Sequence, residues 1–318
     1  MLVFYIFIFL ASCFFLVLSS KFLVDAVSRI ALFLKMKEFV VAFFFMAFGT
    51  SLPNLFVGIM SALNKIPELS FGDVVSGNIL DLSIGIGLPA LISFGGLTAE
   101  SRTLQGSALF VIIVAVLPLL LILDGDLSRI DGILLILSFI FYISWVFSKK
   151  ERFSKIYNHN KEALTSKKFI KDLFLLIFCL VLLLISAKGV VDSATYFYQT
   201  FHLPLALIGI LIVGIGNSLP ETFFSLRAAK RGQDWALLGN LMGGVSITAT
   251  LVLGLVSLIC PIKITNFSPF FIARIFLVIS ALFFFISVKT GRKITKKEGL
   301  VLVLIYILFL ITEIFFAK

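Results

Sequence analysis

The chain has 318 residues, 60% of them hydrophobic and only 14% charged. A soluble domain carries about 25% charged residues, so a water-soluble globular protein is excluded, and the 37 phenylalanines exclude intrinsic disorder. The net charge of +10 does not point to nucleic acid, because the basic residues fall in the loops between apolar runs, where membrane topology requires them.

A membrane-crossing helix takes about 20 apolar residues. Apolar runs separated by charge, Pro or Gly predict helices over 2–20, 39–63, 72–97, 103–123, 130–148, 171–193, 204–230, 234–259, 268–289 and 298–316. Within the first, Leu10-Ala11-Ser12-Cys13 resembles a lipoprotein cleavage box. No Lys or Arg precedes it and the apolar run continues to Leu18, so a retained helix is expected. With the N-terminus outside, 21 of the 27 Lys and Arg residues lie on the cytoplasmic side, eight of them in the central 149–171 segment. That asymmetry supports ten spans with both termini outside. The expected fold class is an all-α polytopic membrane protein, with halves 1–148 and 171–318 joined by a basic cytoplasmic linker, 149–170. Cys13, Cys179 and Cys260 are scattered, and His159 and His202 are isolated, so neither a disulfide framework nor a resident metal or cofactor is expected. No acid–His–Ser constellation shares one depth, which argues against an enzyme. The expected partners are the lipid bilayer and small ions, with no obligate protein partner evident.

The chain repeats itself. Residues 49–54 read GTSLPN and residues 216–221 read GNSLPE, an offset of 167. The same offset carries Phe56 onto Phe223, Gly72 onto Gly239, Gly77 onto Gly244 and Gly87 onto Gly254. Five helices separate the copies, and an odd number inverts the second, giving two inverted five-helix repeats. Transporters built this way hold their substrate near the midplane between the halves. Pro53 and Pro220 each lack an N–H and clash with the carbonyl four residues earlier, so both helices should kink and free main-chain carbonyls.

Buried acids define the substrate class. Asp81 falls inside the third span and Glu221 follows Pro220 at mid-span. A charge at the bilayer centre costs at least ~2.5–3.5 kcal/mol, so these acids call for a cation or protons. The offset pairs Asp81 with Thr248 and Glu221 with Asn54, an expected convergence of two carboxylates, an amide and a hydroxyl. Such hard oxygen donors suit Ca²⁺, Na⁺ or Mg²⁺. Lys188, Arg227 and Arg274 are expected to snorkel to an interface. Asp25, Asp73 and Asp234 are read at loops or helix starts, where a carboxylate favours the helix N-terminus.

These residues resemble the cation/calcium exchangers, particularly the compact ten-helix prokaryotic sodium/calcium exchangers. The resemblance spans the chain in helix count, and its specific part is the pair of repeats near 40–90 and 207–257. It implies an antiporter working by alternating access, Ca²⁺ leaving as Na⁺ enters, with the first and sixth helices moving as the gate. Glu221 matches the family acid of the second repeat, and Thr50, Ser51 and Ser218 match its hydroxyls. Asn54 stands where the first repeat normally has Glu, Asn217 replaces the usual Thr, and Gly77 and Gly244 replace residues that are often Ser. Thr248 stands where the eighth helix usually has Asp, and Asp81 where the third often has Asn. The implied ligand set is Glu221 and Asp81, completed by Asn54, Thr248, Thr50, Ser51, Asn217 and Ser218, with carbonyls near Ala47 and Gly214. Two other expectations keep the same sequence features. One is a proton-coupled exchanger, or one for Mg²⁺ or a monovalent cation; the other is a nontransporting membrane scaffold.

Overall fold

The structure, a computed structural model, describes residues 1–33, 48–99, 102–148, 166–264 and 267–316. Its helices are α1 (Leu2–Phe33), α2 (Gly49–Leu63), α3 (Pro67–Ile92), α4 (Arg102–Leu121), α5 (Arg129–Ser148) and α6 (Ser166–Phe201). In the second half, α7 covers 205–230 as Leu205–Ile208, a π-helical stretch Gly209–Val213 and Gly214–Lys230. Likewise α8 covers 234–259 as Asp234–Ser246, π-helical Ile247–Val252 and Leu253–Ile259. Helices α9 (Phe267–Lys289) and α10 (Lys296–Phe316) complete the bundle. Among the described residues, eight helices are long and apolar enough to cross a membrane, and the bent α7 makes a ninth. The shorter α2 is preceded by residues outside the description, so the expected span from 39 is seen only from Gly49.

Local signals recur at the 167-residue offset. Ser128 and Asp131 form a capping box at the start of α5: the Ser128 N–H and hydroxyl both donate to Asp131 Oδ2, at 2.9 and 2.7 Å. Thr295 and Glu298 do the same for α10, both at 2.7 Å to Glu298 Oε2. Left-handed backbone recurs as well, at Lys65 (φ 60°) and Gly232 (φ 64°), and at Gly125 (φ 91°) and Arg292 (φ 52°). Two short antiparallel ribbons close the bundle, β1 (Leu97–Thr98) with β4 (Lys293–Ile294) and β2 (Asp126–Leu127) with β3 (Ile262–Lys263). Each ribbon joins one strand from each half.

Helices α3 and α8 are equivalent in the two repeats and form the centre. The most apolar window of each is 78% buried, which fits helices covered on all sides. The outer helices turn residues such as Phe141 and Phe178 outward, as a lipid-facing wall does. Helices α1 and α6 lie antiparallel along one flank. Tyr5 stacks on Tyr196 at 4.0 Å between centroids, Gly189 lies against Ser12, and Arg29 pairs with Asp172 at 2.7 Å.

Three expectations change. Helices α1 and α6 run far beyond 2–20 and 171–193, so Asp25 lies inside a helix and α6 begins within the segment read as linker. Helix α3 starts at Pro67, because Pro is well suited to the first helical turn and needs no N–H partner there. Asp73 therefore lies in the second turn of α3, fully buried, not at a helix start. Asp234 does begin α8, where its Oδ2 accepts from the Thr98 N–H and hydroxyl at 2.9 and 2.8 Å.

Candidate functional site

Helices α3 and α7 run parallel and in close contact, because Gly72 and Gly209 face each other where they cross. A Cβ on Gly72 would run into the Ala206 carbonyl, and one on Gly209 would lie 3.0 Å from the Asp73 nitrogen. Pro53 lies within α2, four residues beyond Gly49. At Pro220 the two arms of α7, Leu205–Leu219 and Glu221–Lys230, bend by 41°, where the backbone has no N–H to donate. The π-helical stretches in α7 and α8 were not legible as interruptions in the hydrophobic pattern. Each widens the backbone ladder beside the site, and the second contains Thr248.

Midway along α3, Asp81 meets Glu221 of α7 within hydrogen-bonding reach, and the Thr50 hydroxyl of α2 also reaches Glu221. Gly244 of α8 backs this pair: a Cβ there would lie 3.3 Å from Glu221 Oε1 and 3.7 Å from Ser51 Oγ. At the equivalent place, a Cβ on Gly77 would lie 3.0 Å from Ser218 Oγ and 3.8 Å from Asn54 Nδ2. The structure thus gathers Asp81, Glu221, Thr50, Ser51, Asn54 and Ser218 around the Pro-containing segments. Asp81 Oδ1, Glu221 Oε1, Asn54 Oδ1 and Ser218 Oγ are all buried with no hydrogen-bond partner. Native interiors rarely leave such atoms unpaired unless they serve an ion, a water or chemistry. Among the described residues no three acidic, His or Cys side chains gather as a metal cluster; the donor set is two carboxylates with neutral oxygens.

The remaining expected residues sit differently. The Thr248 hydroxyl donates to Asn78 Oδ1 at 2.7 Å and lies 3.0 Å from the Gly244 carbonyl. Asn217 donates through Nδ2 to both Asp73 oxygens, at 3.1 and 3.0 Å. Gly214 is a point of close approach, where a Cβ would lie 2.6 Å from Ser76 Oγ. Ala47 lies outside the described residues.

Asp73, Asn78 and Asn240 were missed by sequence reasoning. The signal for two of them was available, since the 167-residue offset carries Thr50 onto Asn217 and Asp73 onto Asn240. Thr50 donates to Asn240 at 3.3 Å, so the two contacts, Thr50 with Asn240 and Asn217 with Asp73, are one contact made twice by the inverted repeats.

The family model described as sodium/calcium exchanger protein matches residues 4–148 and 171–315. The chain belongs to the sodium/calcium exchanger family. The similarity extends over whole proteins: the sodium/calcium exchanger MaX1 of Methanosarcina acetivorans is 28% identical, over 93% of this chain and 95% of that one. An uncharacterized membrane protein of Methanocaldococcus jannaschii is 29% identical over 91% of each. Among solved structures, the sodium-calcium exchanger NCX_Mj soaked with 2.5 mM Na⁺ and 10 mM Sr²⁺ superposes with a TM-score of 0.66 at 27% identity, over 98% of this chain and 99% of that one. As in that structure, the exchanger fold here is ten membrane helices in two inverted repeats. The chain is a multi-pass membrane protein of a family that transports inorganic cations.

Proposed function

We propose that this family member is a secondary antiporter that exchanges Ca²⁺ for Na⁺ by alternating access at the Asp81–Glu221 site. The observation that carries the reading is the group of four buried, unpartnered oxygens, on Asn54, Asp81, Ser218 and Glu221, at the junction of α2, α3 and α7. Two carboxylates at hydrogen-bonding reach repel each other unless a cation or a proton lies between them. A divalent cation balances both, as do two monovalent ones, so occupancy by either ion neutralises the same pair and the two compete. Thr50, Ser51, Asn217, Ser218 and Thr248 complete the proposed shell, with carbonyls near Ala47 and Gly214. The acids that this chain lacks at positions 54 and 248 are offset in part by Asp81 on α3.

The proposed setting is a prokaryotic cytoplasmic membrane with both termini outside, which leaves the basic 149–170 linker in the cytoplasm between halves 1–148 and 171–318. The test is uptake of radioactive Ca²⁺ into Na⁺-loaded proteoliposomes, with and without a Na⁺ gradient. Wild type should require the gradient, and Glu221→Gln should abolish uptake while retaining a wild-type melting profile. Gradient-independent uptake, or an active Glu221→Gln, would refute the reading. The direct approach of Asp81 to Glu221 also suits a shared proton, which favours proton coupling as the second reading. Uptake driven by a pH gradient without Na⁺ would select it.

A further inference from the structure

The contact between Asp73 and Asn217 has a chemical direction. An amide has a donating and an accepting end, and only the donating end can meet an acceptor. Both Asp73 oxygens take the Asn217 Nδ2, at 3.1 and 3.0 Å. The amide carbonyl is then the end turned away from Asp73. Both residues are buried, at 0% and 2% exposure, so water does not compete for either end.

The equivalent contact at the first repeat shows what the arrangement achieves. Thr50, the counterpart of Asn217, offers its one hydroxyl hydrogen to acceptors, Asn240 Oδ1 at 3.3 Å and the nearby Glu221. A hydroxyl donating to a neutral acceptor has no wrong end to present, because its oxygen carries the lone pairs whichever way the hydrogen turns. An asparagine is different: turned the wrong way, it would present an NH₂ to the cation and repel it. Position 217 carries the amide, and its partner at 73 is the carboxylate; position 50 carries the hydroxyl, and its partner at 240 is neutral.

We infer that Asp73 is a positioning residue of the cation site, which locks the Asn217 amide so that its carbonyl oxygen faces the transported ion. This rests on the site proposed above and adds a residue to its function. Asp73 lies eight residues before Asp81, ~12 Å along the helix axis at 1.5 Å per residue, so it acts through Asn217 and not as part of the Asp81–Glu221 pair. Partners that orient a ligand without touching the metal change affinity by about 10–100-fold when removed.

The experiment measures Ca²⁺ and Na⁺ dependence of exchange for wild type, Asp73→Asn and the double variant Asp73→Asn/Asn217→Thr, with a thermal melt for each. In Asp73→Asn the amide is no longer held one way, and KM for Ca²⁺ should rise about 10-fold with kcat changed far less. The double variant recreates the threonine–asparagine contact of the other repeat and should restore the wild-type KM. An unchanged KM in Asp73→Asn overturns the inference. So does a double variant as impaired as the single one, since the charge of Asp73 and not its hold on Asn217 would then matter. Should Asp73→Asn melt too low to assay, the double variant decides alone: a wild-type KM supports the positioning role and a raised KM overturns it. Wild type without any exchange would instead count against the proposed function. The rise in melting temperature on adding Ca²⁺, compared across the same variants, then reads the positioning role independently.

Discussion

Gly244 lies directly behind the Glu221 carboxylate, with room for a Cβ 3.3 Å from Oε1 and for little more. A methyl group there must push back a carboxylate already facing Asp81. Overpacking a tight site costs about 1–3 kcal/mol, so Gly244→Ala should weaken Ca²⁺ affinity by at least ~5-fold without unfolding the protein. Gly244→Ser should be milder, because its hydroxyl can donate to Glu221 or the site cation. Transport KM for the two variants, side by side, checks the order.

The two central acids should act as a unit. Asp81→Asn and Glu221→Gln each leave the other carboxylate buried without its partner, and each should lower transport by about 100-fold or more. Groups that hold one ligand together are strongly non-additive. The double variant should therefore be little worse than either single one. A product of the two individual losses would mean that the carboxylates serve separate ions.

The equivalent glycines of the two repeats should differ. A Cβ on Gly72 overlaps the Ala206 backbone carbonyl, whereas a Cβ on Gly239 meets nothing within 4 Å. Gly72→Ala should destabilise by about 1–3 kcal/mol as the α3–α7 crossing is forced apart. Gly239→Ala should be neutral or slightly stabilising, since alanine favours the helix by about 1 kcal/mol. Melting temperatures in detergent decide between these outcomes.

Arg29 reaches Asp172 with Nε at 2.9 Å and Nη2 at 2.7 Å, tying the end of α1 to the start of α6. The Arg29 side chain is 42% exposed but Asp172 only 8%, so solvent screens the pair from one side. Arg29→Gln should cost about 1–3 kcal/mol, because it leaves a buried carboxylate short of its charged partner. The charge-swapped double variant Arg29→Asp/Asp172→Arg should recover most of the loss. If the paired helices move together in transport, the single variant should also slow exchange.

Helix number and the mid-membrane acids were legible because apolar length and buried charge are strong signals in a membrane chain. The repeat was legible because Gly and Pro, unlike Leu or Phe, rarely align by chance. Asp73 was misread for a local reason: placing the start of α3 at Gly72 put the acid at a helix N-terminus, where carboxylates are ordinary. The true start at Pro67 moves it inward by more than a turn, into the bundle interior. The π-helical stretches at Gly209–Val213 and Ile247–Val252 left no mark, since one extra residue in a turn does not disturb a uniformly apolar pattern. The Asn78–Thr248 contact involves a residue of the second of these stretches and left no mark in the sequence either.

The two ribbons imply a history as well as a closure. At the repeat offset β2 falls on β4, and each ribbon pairs a strand from one half with a strand from the other. Two-fold self-complementarity of this kind is what identical subunits form when they meet about a dyad. A chain of half this length, inserted into the membrane in both orientations, would already have carried both seams needed to assemble with its own mirror-oriented copy. Joining the two halves in one chain leaves each seam free to carry its own residues, as the different strand pairs already do.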